Sequence, residues 1–235
     1  MPFPGYLLSV GRMAYDPAHT LQLALVAARQ REEIPDTLLL VEHEPVLTLG
    51  RRGDEGHILA SPETLAREGI LVRRIERGGD VTYHGPGQVV AYPIVHLPSH
   101  SLGVSDYMHG LEAAIIATLA EYGLRAQRRQ GLIGVWIGDN KIAALGVRVR
   151  RGVTFHGLAL NVSPLMRHWG YIIPCGLTEG GVTSMALELG APPSWGEVAA
   201  QLATQLARTL QLDLQPVQLA DLGLRDEPIE PPEQG

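Results

Sequence analysis

The chain has 235 residues and a formal net charge of −6 at pH 7, with 45% hydrophobic and 19% charged residues. Its length suits one domain with a substantial core. The negative charge argues against a nucleic-acid-binding protein, and no stretch approaches the ~18–20 apolar residues of a membrane-spanning helix.

The first hundred residues alternate between predicted strands and helices. The Asp16-Pro17 pair predicts a helix start, with aspartate as the cap and proline at the first helical position. Apolar runs bounded by turn residues predict the strands. The predicted elements are a strand at 6–10, a helix from Asp16 to about Glu33, strands at 37–42 and 46–49, a short helix between Ser61 and Gly69, and strands at 70–75 and 88–96.

The second half predicts a helix from Ser105 or Asp106 to Tyr122, followed by a β-meander over 132–162. A loop over 163–182 and helices near 183–189 and 195–210 complete the pattern. Together the elements predict one α/β domain over 1–225, with a mixed, mostly antiparallel sheet flanked by helices. The acidic, proline-rich residues 226–235 predict a disordered tail.

Lys141 is the only lysine beside eighteen arginines. Arginine replaces lysine readily as a solvated surface cation, but not where an amine must lose a proton or act as a compact charge. The imbalance therefore points to a specific role for Lys141. The alternative is that Lys141 is merely what remains in a lysine-poor composition.

Residues 77–88, RGGDVTYHGPGQ, form the glycine-rich segment. Glycines let backbone N–H groups approach a ligand closely, and Arg77, Thr82 and His84 supply directed polar contacts. The segment matches neither a phosphate-binding P-loop nor a dinucleotide-binding turn. It predicts a binding loop, the alternative being a tight turn between two strands.

Cys175, the only cysteine, lies between Pro174 and Gly176 and is therefore predicted on a loop. One cysteine excludes an internal disulfide, and the N-terminus lacks a signal-peptide pattern, so we predict a cytoplasmic protein. A nucleophilic cysteine must be a thiolate, and a nearby ammonium such as Lys141 would lower the thiol pKa by ~1–3 units. The alternative is a buried, inert thiol.

His84 and His156 are the histidines placed nearest to these motifs. Neither belongs to a metal-binding pattern, since there is no H-E-x-x-H motif and no second cysteine. We therefore predict no metal site and no cofactor, with structural histidines as the default.

These segments together resemble the lipoyl(octanoyl) transferase family, whose members move an octanoyl group from acyl carrier protein to lysines of lipoyl domains. The resemblance spans roughly residues 40–190 and is most specific in RGG-x-x-T-Y-H-x-x-G-Q. The segments that carry it are HEPVLTLGRRG (43–53), RGGDVTYHGPGQVVAYP (77–93), KIAALGVRVRRGVTFHGLALNV (141–162), PCGL (174–177) and VTSM (182–185). It implies the catalytic-domain fold of biotin and lipoate protein ligases.

The resemblance implies a role for each matching residue. Cys175 would carry the acyl group as a thioester, and Lys141 would lower the pKa of that thiol. Position 144 carries alanine where many members carry serine. The implied substrate contacts are Arg77, Gly78, Gly79, Asp80, Val81, Thr82, Tyr83, His84, Ala144, Leu145, Gly146, Gly157, Leu158 and Ala159.

The implied partners are octanoyl-acyl carrier protein, the lipoyl domains of 2-oxoacid dehydrogenase complexes and the glycine cleavage H protein, without nucleic acid or membrane. An apolar slot for the octanoyl chain has Leu145, Leu158, Val81 and Tyr83 as candidates, although apolar strand residues usually belong to the core. Three alternatives stay open: an ATP-dependent lipoate or biotin ligase, a cysteine hydrolase, and a non-catalytic module that binds acyl carrier protein or lipoyl domains.

Overall fold

The structure, a computed structural model, describes residues 1–174 and 180–224. Cys175 and the predicted tail at 226–235 lie outside these residues. Within them, the chain forms five α-helices and eleven strands. These are β1 (Phe3–Met13), α1 (Tyr15–Gln30), β2 (Asp36–His43), β3 (Val46–Leu49), α2 (Pro62–Arg67), β4 (Leu71–Arg74), β5 (Val81–His84), β6 (Gln88–Ile94), α3 (Val104–Glu121), β7 (Gln127–Arg129), β8 (Leu132–Ile137), β9 (Asn140–Arg150), β10 (Val153–Asn161), α4 (Met185–Leu189), α5 (Trp195–Leu210) and β11 (Leu212–Val217).

The strands form a large sheet of eight and a small sheet of three. The large sheet has the order β11-β1-β2-β6-β10-β9-β8-β7, and the small sheet has the order β4-β3-β5. In the large sheet β1 pairs in parallel with β2 and β11, and every other pair is antiparallel. The predicted α/β class with a mixed, mostly antiparallel sheet is therefore confirmed.

Helices cover both faces of the large sheet because the side chains of a strand alternate between faces. In β2, Leu38 and Leu40 belong to the core beneath α3 and α5, whereas Leu39 and Val41 belong to the core beneath α1. Burying each such leucine contributes about 1.5–3 kcal/mol to folding. None of the described helices is both long enough and apolar enough to cross a membrane.

The small sheet has a core of its own and lies over the face of the large sheet that α1 covers. Val81 and Tyr83 of β5 pack with Leu47 and Leu49 of β3 in that core. Thr82 and His84 alternate with them and therefore face the other way. The small sheet thus turns two polar side chains of the glycine-rich segment toward the large sheet.

Three strands were not predicted from the sequence, each for a different reason. β5 is only four residues long and lies between glycine turns, a pattern that predicts a loop. β7 has three residues, all of them polar. β11 contains Pro216, which cannot donate a ladder hydrogen bond, and the strand lies at an edge of the sheet where proline is tolerated.

Two predicted helix starts were wrong. The cap of α1 is Ala14, and the Asp16 carboxylate accepts hydrogen bonds from Arg73 at 2.9–3.0 Å instead of capping the helix. The cap of α3 is Gly103, so the helix begins before the predicted Ser105 or Asp106. The predicted cap Ser61 of α2 is confirmed, since its hydroxyl accepts from Thr64 N–H.

Gly157 provides a test of the packing between β10 and β6. A Cβ atom at this position would lie 2.2 Å from the Ala91 carbonyl oxygen, so alanine forces the strands apart. We expect Gly157→Ala to lower the free energy of unfolding by about 1–3 kcal/mol. Urea denaturation measures this as a lower midpoint at unchanged slope.

Gly196→Ala is the matched control, because a Cβ atom at Gly196 meets nothing within 4 Å and the residue lies in the first turn of α5. We expect that variant to match or slightly exceed the wild-type midpoint. Equal midpoints for Gly157→Ala and Gly196→Ala would contradict the proposed close packing.

Candidate active site

A pocket that is partly open to solvent, with about 390 Å³ of empty space and here called the larger cavity, lies between the large sheet, the small sheet and the start of α1. Its walls contain nine of the fourteen residues predicted to contact substrate. The full lining is Tyr15, Ile75, Arg77, Thr82, His84, Tyr92, Ala144, Leu145, Gly146, His156, Gly157, Leu158 and Ala159. Segments far apart in the sequence thus meet around one space.

The larger cavity exists because small residues face each other across two strands. Ala144 of β9 pairs with Ala159 of β10, and Gly146 pairs with Gly157. All four lie on the same face, since the side-chain period of a strand is two. Part of the missing side-chain volume is taken by the glycine turn, since a Cβ atom at Gly146 would lie 2.8 Å from the Gly78 carbonyl oxygen, and all four small residues line the open space.

The intervening residues Leu145 and Leu158 pair with each other and belong to the hydrophobic core under α3 and α5. Val81 and Tyr83, the other two candidates for an apolar slot, lie in the core of the small sheet and outside the cavity lining. Leu145 and Leu158 therefore contribute to the core and also line the larger cavity, whereas Val81 and Tyr83 contribute only to the core of the small sheet.

Arg77 fixes the glycine turn at the edge of the larger cavity. Its guanidinium donates hydrogen bonds to the carbonyl oxygens of Gly78 (2.7 Å), Asp80 (2.6 Å) and Thr48 (3.2 Å). Gly79 has a φ of +96°, a conformation that favours glycine. The hydrogen bonds of the Arg77 guanidinium therefore hold the turn in this conformation.

Gly78, Gly79 and Asp80 do not line the larger cavity. The backbone N–H of Gly78 donates to the Val147 carbonyl at 3.3 Å, which ties the turn to β9. The Asp80 carboxylate accepts hydrogen bonds from its neighbour Val81 N–H and contacts the His57 ring at 2.5 Å. These three residues shape the loop from its outer side.

Lys141 lies at the start of β9 and is only 6% exposed. Its ammonium nitrogen is 5.1 Å from the centre of the Trp136 ring, a cation–π distance. Its stem occupies the space above Gly134, where a Cβ atom would lie 2.4 Å from Lys141 Cε. The tryptophan and the glycine together form a fitted channel for a lysine side chain.

A smaller cavity of about 230 Å³ adjoins Lys141. Its lining is Thr82, Lys141, Ala143, Ala144, Asn161, Trp169, Pro174 and Val182. Thr82 and Ala144 line both cavities, so the two cavities lie side by side. Lys141 and Pro174, the residue that precedes Cys175 in the chain, thus line the same cavity.

The residues that follow the undescribed stretch 175–179 also lie against Lys141. Lys141 N–H donates to the Gly181 carbonyl, and Thr183 N–H donates to the Lys141 carbonyl, both at 2.9 Å. Asn161 donates to the Thr183 carbonyl at 2.9 Å, and Gln88 donates to Asn161 at 2.9 Å. Hydrogen bonds from three strands therefore fix the chain on the far side of Cys175.

Several buried polar atoms at the two cavities have no hydrogen-bond partner among the described residues. They are Tyr15 Oη, Thr82 Oγ1, His84 Nδ1, His156 Nε2 and Trp169 Nε1. Buried polar groups in folded proteins nearly always have partners. Their arrangement around open space is typical of a binding site that orients a ligand by a few polar contacts.

Burial keeps the imidazoles of the site neutral. It lowers the pKa of His156 to about 3 and that of His43 to about 4, and it lowers the pKa of His84 well below its usual value. Burial by itself raises the pKa of Glu76, but hydrogen bonding to His19 and the charge of that ring lower it to about 2. The cavity is therefore walled by neutral rings at pH 7.

Sequence reasoning missed Tyr15, Ile75 and Tyr92 as cavity residues. Tyr15 begins α1, more than sixty positions before the glycine-rich segment, and only the tertiary fold brings it there. Tyr92 lies within the family-like segment 77–93, so the resemblance already contained its signal. Ile75 directly follows β4, and nothing in the sequence distinguishes it from an ordinary core residue.

Residues 14–207 match the family described as the lipoyl protein ligase A/B catalytic domain. Among curated proteins, an octanoyltransferase of Chloroflexus aurantiacus is 48% identical over 207 residues, covering 87% of this chain and 93% of that protein. An octanoyltransferase of Syntrophobacter fumaroxidans is 44% identical over 210 residues, covering 89% and 92%.

Solved structures share the fold at low sequence identity. Lipoate-protein ligase A bound with ATP superposes with a TM-score of 0.74 at 17% identity, covering 93% of this chain and 90% of that one. A bi-partite lipoate protein ligase from Thermoplasma acidophilum gives a TM-score of 0.72 at 17% identity, covering 93% and 88%. The predicted likeness to the lipoate ligase catalytic domain is therefore confirmed for the fold.

His43 makes the stability of this site dependent on pH. It is fully buried, hydrogen-bonds the cavity residue Tyr92 at 2.7 Å, and has a pKa lowered from 6.5 to about 4. Between pH 6.5 and 4 the unfolded chain therefore binds a proton that the folded chain excludes, and stability falls as the pH falls. We expect wild-type protein to lose about 2 kcal/mol more than His43→Gln between pH 7 and pH 5, measured by urea denaturation.

His109→Gln serves as the control, because His109 is exposed on α3. Its pH dependence should match the wild-type curve. The same pH dependence in His43→Gln and wild-type protein would show that His43 does not titrate as described.

Proposed function

The chain belongs to the octanoyltransferase family within the lipoyl protein ligase A/B catalytic domains, and on that premise we propose that it transfers an octanoyl group from octanoyl-acyl carrier protein to the lysine of a lipoyl domain. One observation carries the proposal. A cavity lined by small residues adjoins a second cavity lined by the only lysine, and the described chain on both sides of the only cysteine lies beside that lysine.

The larger cavity suits a short acyl chain. Ala144, Ala159, Gly146 and Gly157 form a smooth strip on the strands β9 and β10. Each methylene group buried on such a surface contributes ~0.8 kcal/mol to binding. The strip runs away from Lys141 along β9 at ~3.3 Å per residue, so the reactive end of the acyl chain would lie near Lys141 and its tail near Gly146.

Cys175 is the proposed nucleophile. Pro174 lines the smaller cavity beside Lys141, and the Lys141 backbone N–H donates to the Gly181 carbonyl, so the described residues on either side of Cys175 lie close to Lys141. A neighbouring cation favours the thiolate, the form that attacks a carbonyl carbon. Cys175 itself lies outside the described residues, so its role and that of Lys141 stay proposals.

The reaction proceeds in two transfers. In the first, the Cys175 thiolate attacks the thioester carbonyl, the bond to the carrier sulfur breaks, and the carrier leaves as a thiol after taking up a proton. In the second, the lipoyl-domain amine attacks the acyl-cysteine, loses a proton and becomes an amide, and the cysteine sulfur is released. Exchange between thioesters is nearly isoenergetic and amide formation is downhill, so no ATP is required.

Thr82 is the proposed hydrogen-bond donor to the reacting carbonyl group. Thr82 lines both cavities, and its buried hydroxyl has no hydrogen-bond partner among residues 1–174 and 180–224. A donor directed at the developing oxyanion contributes about 3–4 kcal/mol to catalysis. We assign this hydroxyl to the junction between the acyl slot and the nucleophile.

Lys141 has two proposed tasks. As a charge it stabilises the thiolate, and as an amine it relays the proton that the incoming lysine loses. Only the second task requires a group that can release a proton. Arginine at position 141 therefore distinguishes the tasks, provided that the larger side chain is accommodated.

Acyl carrier protein and lipoyl domains in general are the partners that family membership supports. The lipoyl domains of 2-oxoacid dehydrogenase complexes and the glycine cleavage H protein are the proposed acceptors, and the cytoplasm is the proposed compartment. The resemblance in fold to ATP-dependent lipoate ligases makes an adenylate-forming ligase the main alternative. A ligase would activate a free acid and would not require Cys175.

The proposed function is tested by intact mass of the protein after mixing with octanoyl-acyl carrier protein, without ATP. We expect an octanoyl adduct on wild-type protein, discharged when a lipoyl domain is added, and no adduct on Cys175→Ser. Acceptor modification only in the presence of ATP and free octanoate would move the protein to the ligases. Hydrolysis without transfer would indicate a hydrolase, and binding without turnover would indicate a binding module.

Lys141→Arg in the same assay separates the two tasks. Formation of the adduct with loss of transfer to the lipoyl domain would support the proton relay. Loss of both steps would indicate either that the thiolate depends on the lysine or that the channel does not accommodate arginine, and it would give the relay no support. Full activity would show that neither task requires an amine.

Ala144→Leu tests the acyl slot, because Ala144 lines both cavities at their junction. A leucine there fills the slot, and we expect kcat/KM for the octanoyl substrate to fall at least about tenfold, with a smaller loss for a butanoyl substrate. Such a change corresponds to ~1.4 kcal/mol. Ala200→Leu, at an exposed position of α5, is the control of matched volume. Equal losses for both chain lengths would place the acyl chain elsewhere.

A further inference from the structure

Three side chains to which the proposed transfer assigns no role converge at the wall of the larger cavity, and one of them, His156, lines it. They are His19 of α1, Glu76 just before the glycine-rich segment, and His156 of β10. One ligand atom from each lies within 4.8 Å of the other two. His19 Nε2 is 3.0 Å and His156 Nε2 is 3.8 Å from the same carboxylate oxygen of Glu76.

His156 is held in this cluster by a strained backbone. Its φ is +55°, which a non-glycine residue rarely adopts. Its backbone N–H donates to the buried Gln22 side chain at 2.9 Å, which fixes that conformation. Strain of this kind persists mainly where it serves a site.

The His156 ring has an unsatisfied nitrogen directed at the cluster. Its side chain is 2% exposed, and its Nε2 atom has no hydrogen-bond partner among the described residues. A buried polar atom in this position calls for a ligand. The hydrogen bond between His19 and Glu76 leaves His156 unsatisfied, whereas one cation could bind all three groups.

Two imidazoles and one carboxylate form a ligand set typical of Zn²⁺. Ligand bonds of about 2.0–2.1 Å in tetrahedral geometry place the donor atoms about 3.4 Å apart, and the observed distances of 3.0 and 3.8 Å lie on either side of that value. The two rings lie within 6° of parallel, so one must turn to direct its nitrogen at a shared ion. His19, with 23% of its side chain exposed, has the freedom to do so.

We propose that His19, Glu76 and His156 form a binding site for a divalent transition metal of the Zn²⁺ class. The ion would join α1, the start of the glycine-rich segment and β10, three elements that also build the larger cavity. It takes no part in the acyl transfer itself. No sequence motif predicts the site, because His19 and Glu76 are 57 residues apart along the chain and Glu76 and His156 are 80 residues apart.

The test is isothermal titration of the tag-free, full-length protein with ZnCl₂ in a buffer that does not chelate. We expect one saturable site in wild-type protein and in Cys175→Ser, which removes the only thiol. Loss of an outer partner alone lowers metal affinity by ~10–100-fold, so we expect at least about a 100-fold loss for His19→Ala and for Glu76→Gln. At a hundredfold excess of free Zn²⁺ over Kd, the wild-type Tm should rise by about 5–10 °C.

His109→Ala, which removes an exposed histidine on α3, should bind like wild-type protein. His156→Asn provides a third ligand variant, since asparagine tolerates a positive φ, and it should also lose the site. Absence of saturable binding would overturn the proposal, as would binding that survives His19→Ala or disappears in Cys175→Ser. Tm values measured without metal identify any variant that fails to fold.

Discussion

The packing of β9 against β10 is the constraint on which the site depends. Two cross-strand pairs on the same face, Ala144 with Ala159 and Gly146 with Gly157, have only small residues, so this face of the sheet has little side-chain volume there. On the other face, Leu145 and Leu158 complete the core under α3 and α5. Because side chains alternate along a strand, β9 and β10 contribute to the hydrophobic core on one face and line the larger cavity on the other.

The second determinant is a hydrogen-bonded connection that runs from the glycine-rich segment to the chain beyond Cys175. Gln88 donates to Asn161, Asn161 donates to the Thr183 carbonyl, and Thr183 N–H donates to the Lys141 carbonyl. Each of these groups is buried, so breaking one contact leaves a polar atom without water to replace its partner. The position of Lys141 is thus coupled to β6, the strand that begins at Gln88.

The sequence was sufficient for the fold class and for most strands, because these signals are local or belong to a specific family pattern. It also singled out the segments around Arg77, Lys141 and Gly157, which the fold brings to the two adjacent cavities. The cavity itself was not predictable. It lies beside small residues whose side chains leave space, whereas the sequence pattern favoured the large apolar residues next to them as the slot. Tyr15 and the cluster of His19, Glu76 and His156 were also missed, because they are assembled only by long-range packing. The placement of Cys175 relative to Lys141 stays a prediction.

The lone lysine in an arginine-rich chain has a steric explanation as well as a chemical one. Gly134 and Trp136 of β8 enclose the stem of Lys141 so closely that even a methyl group on Gly134 would collide with it. A guanidinium is a wide planar fork and does not fit a channel shaped for an unbranched amine. Substitution of Lys141 by arginine therefore changes side-chain volume and proton chemistry together. The acyl-enzyme forms only if the altered side chain leaves the site intact. A loss of transfer to the lipoyl domain therefore supports the proton relay only where the acyl-enzyme still forms.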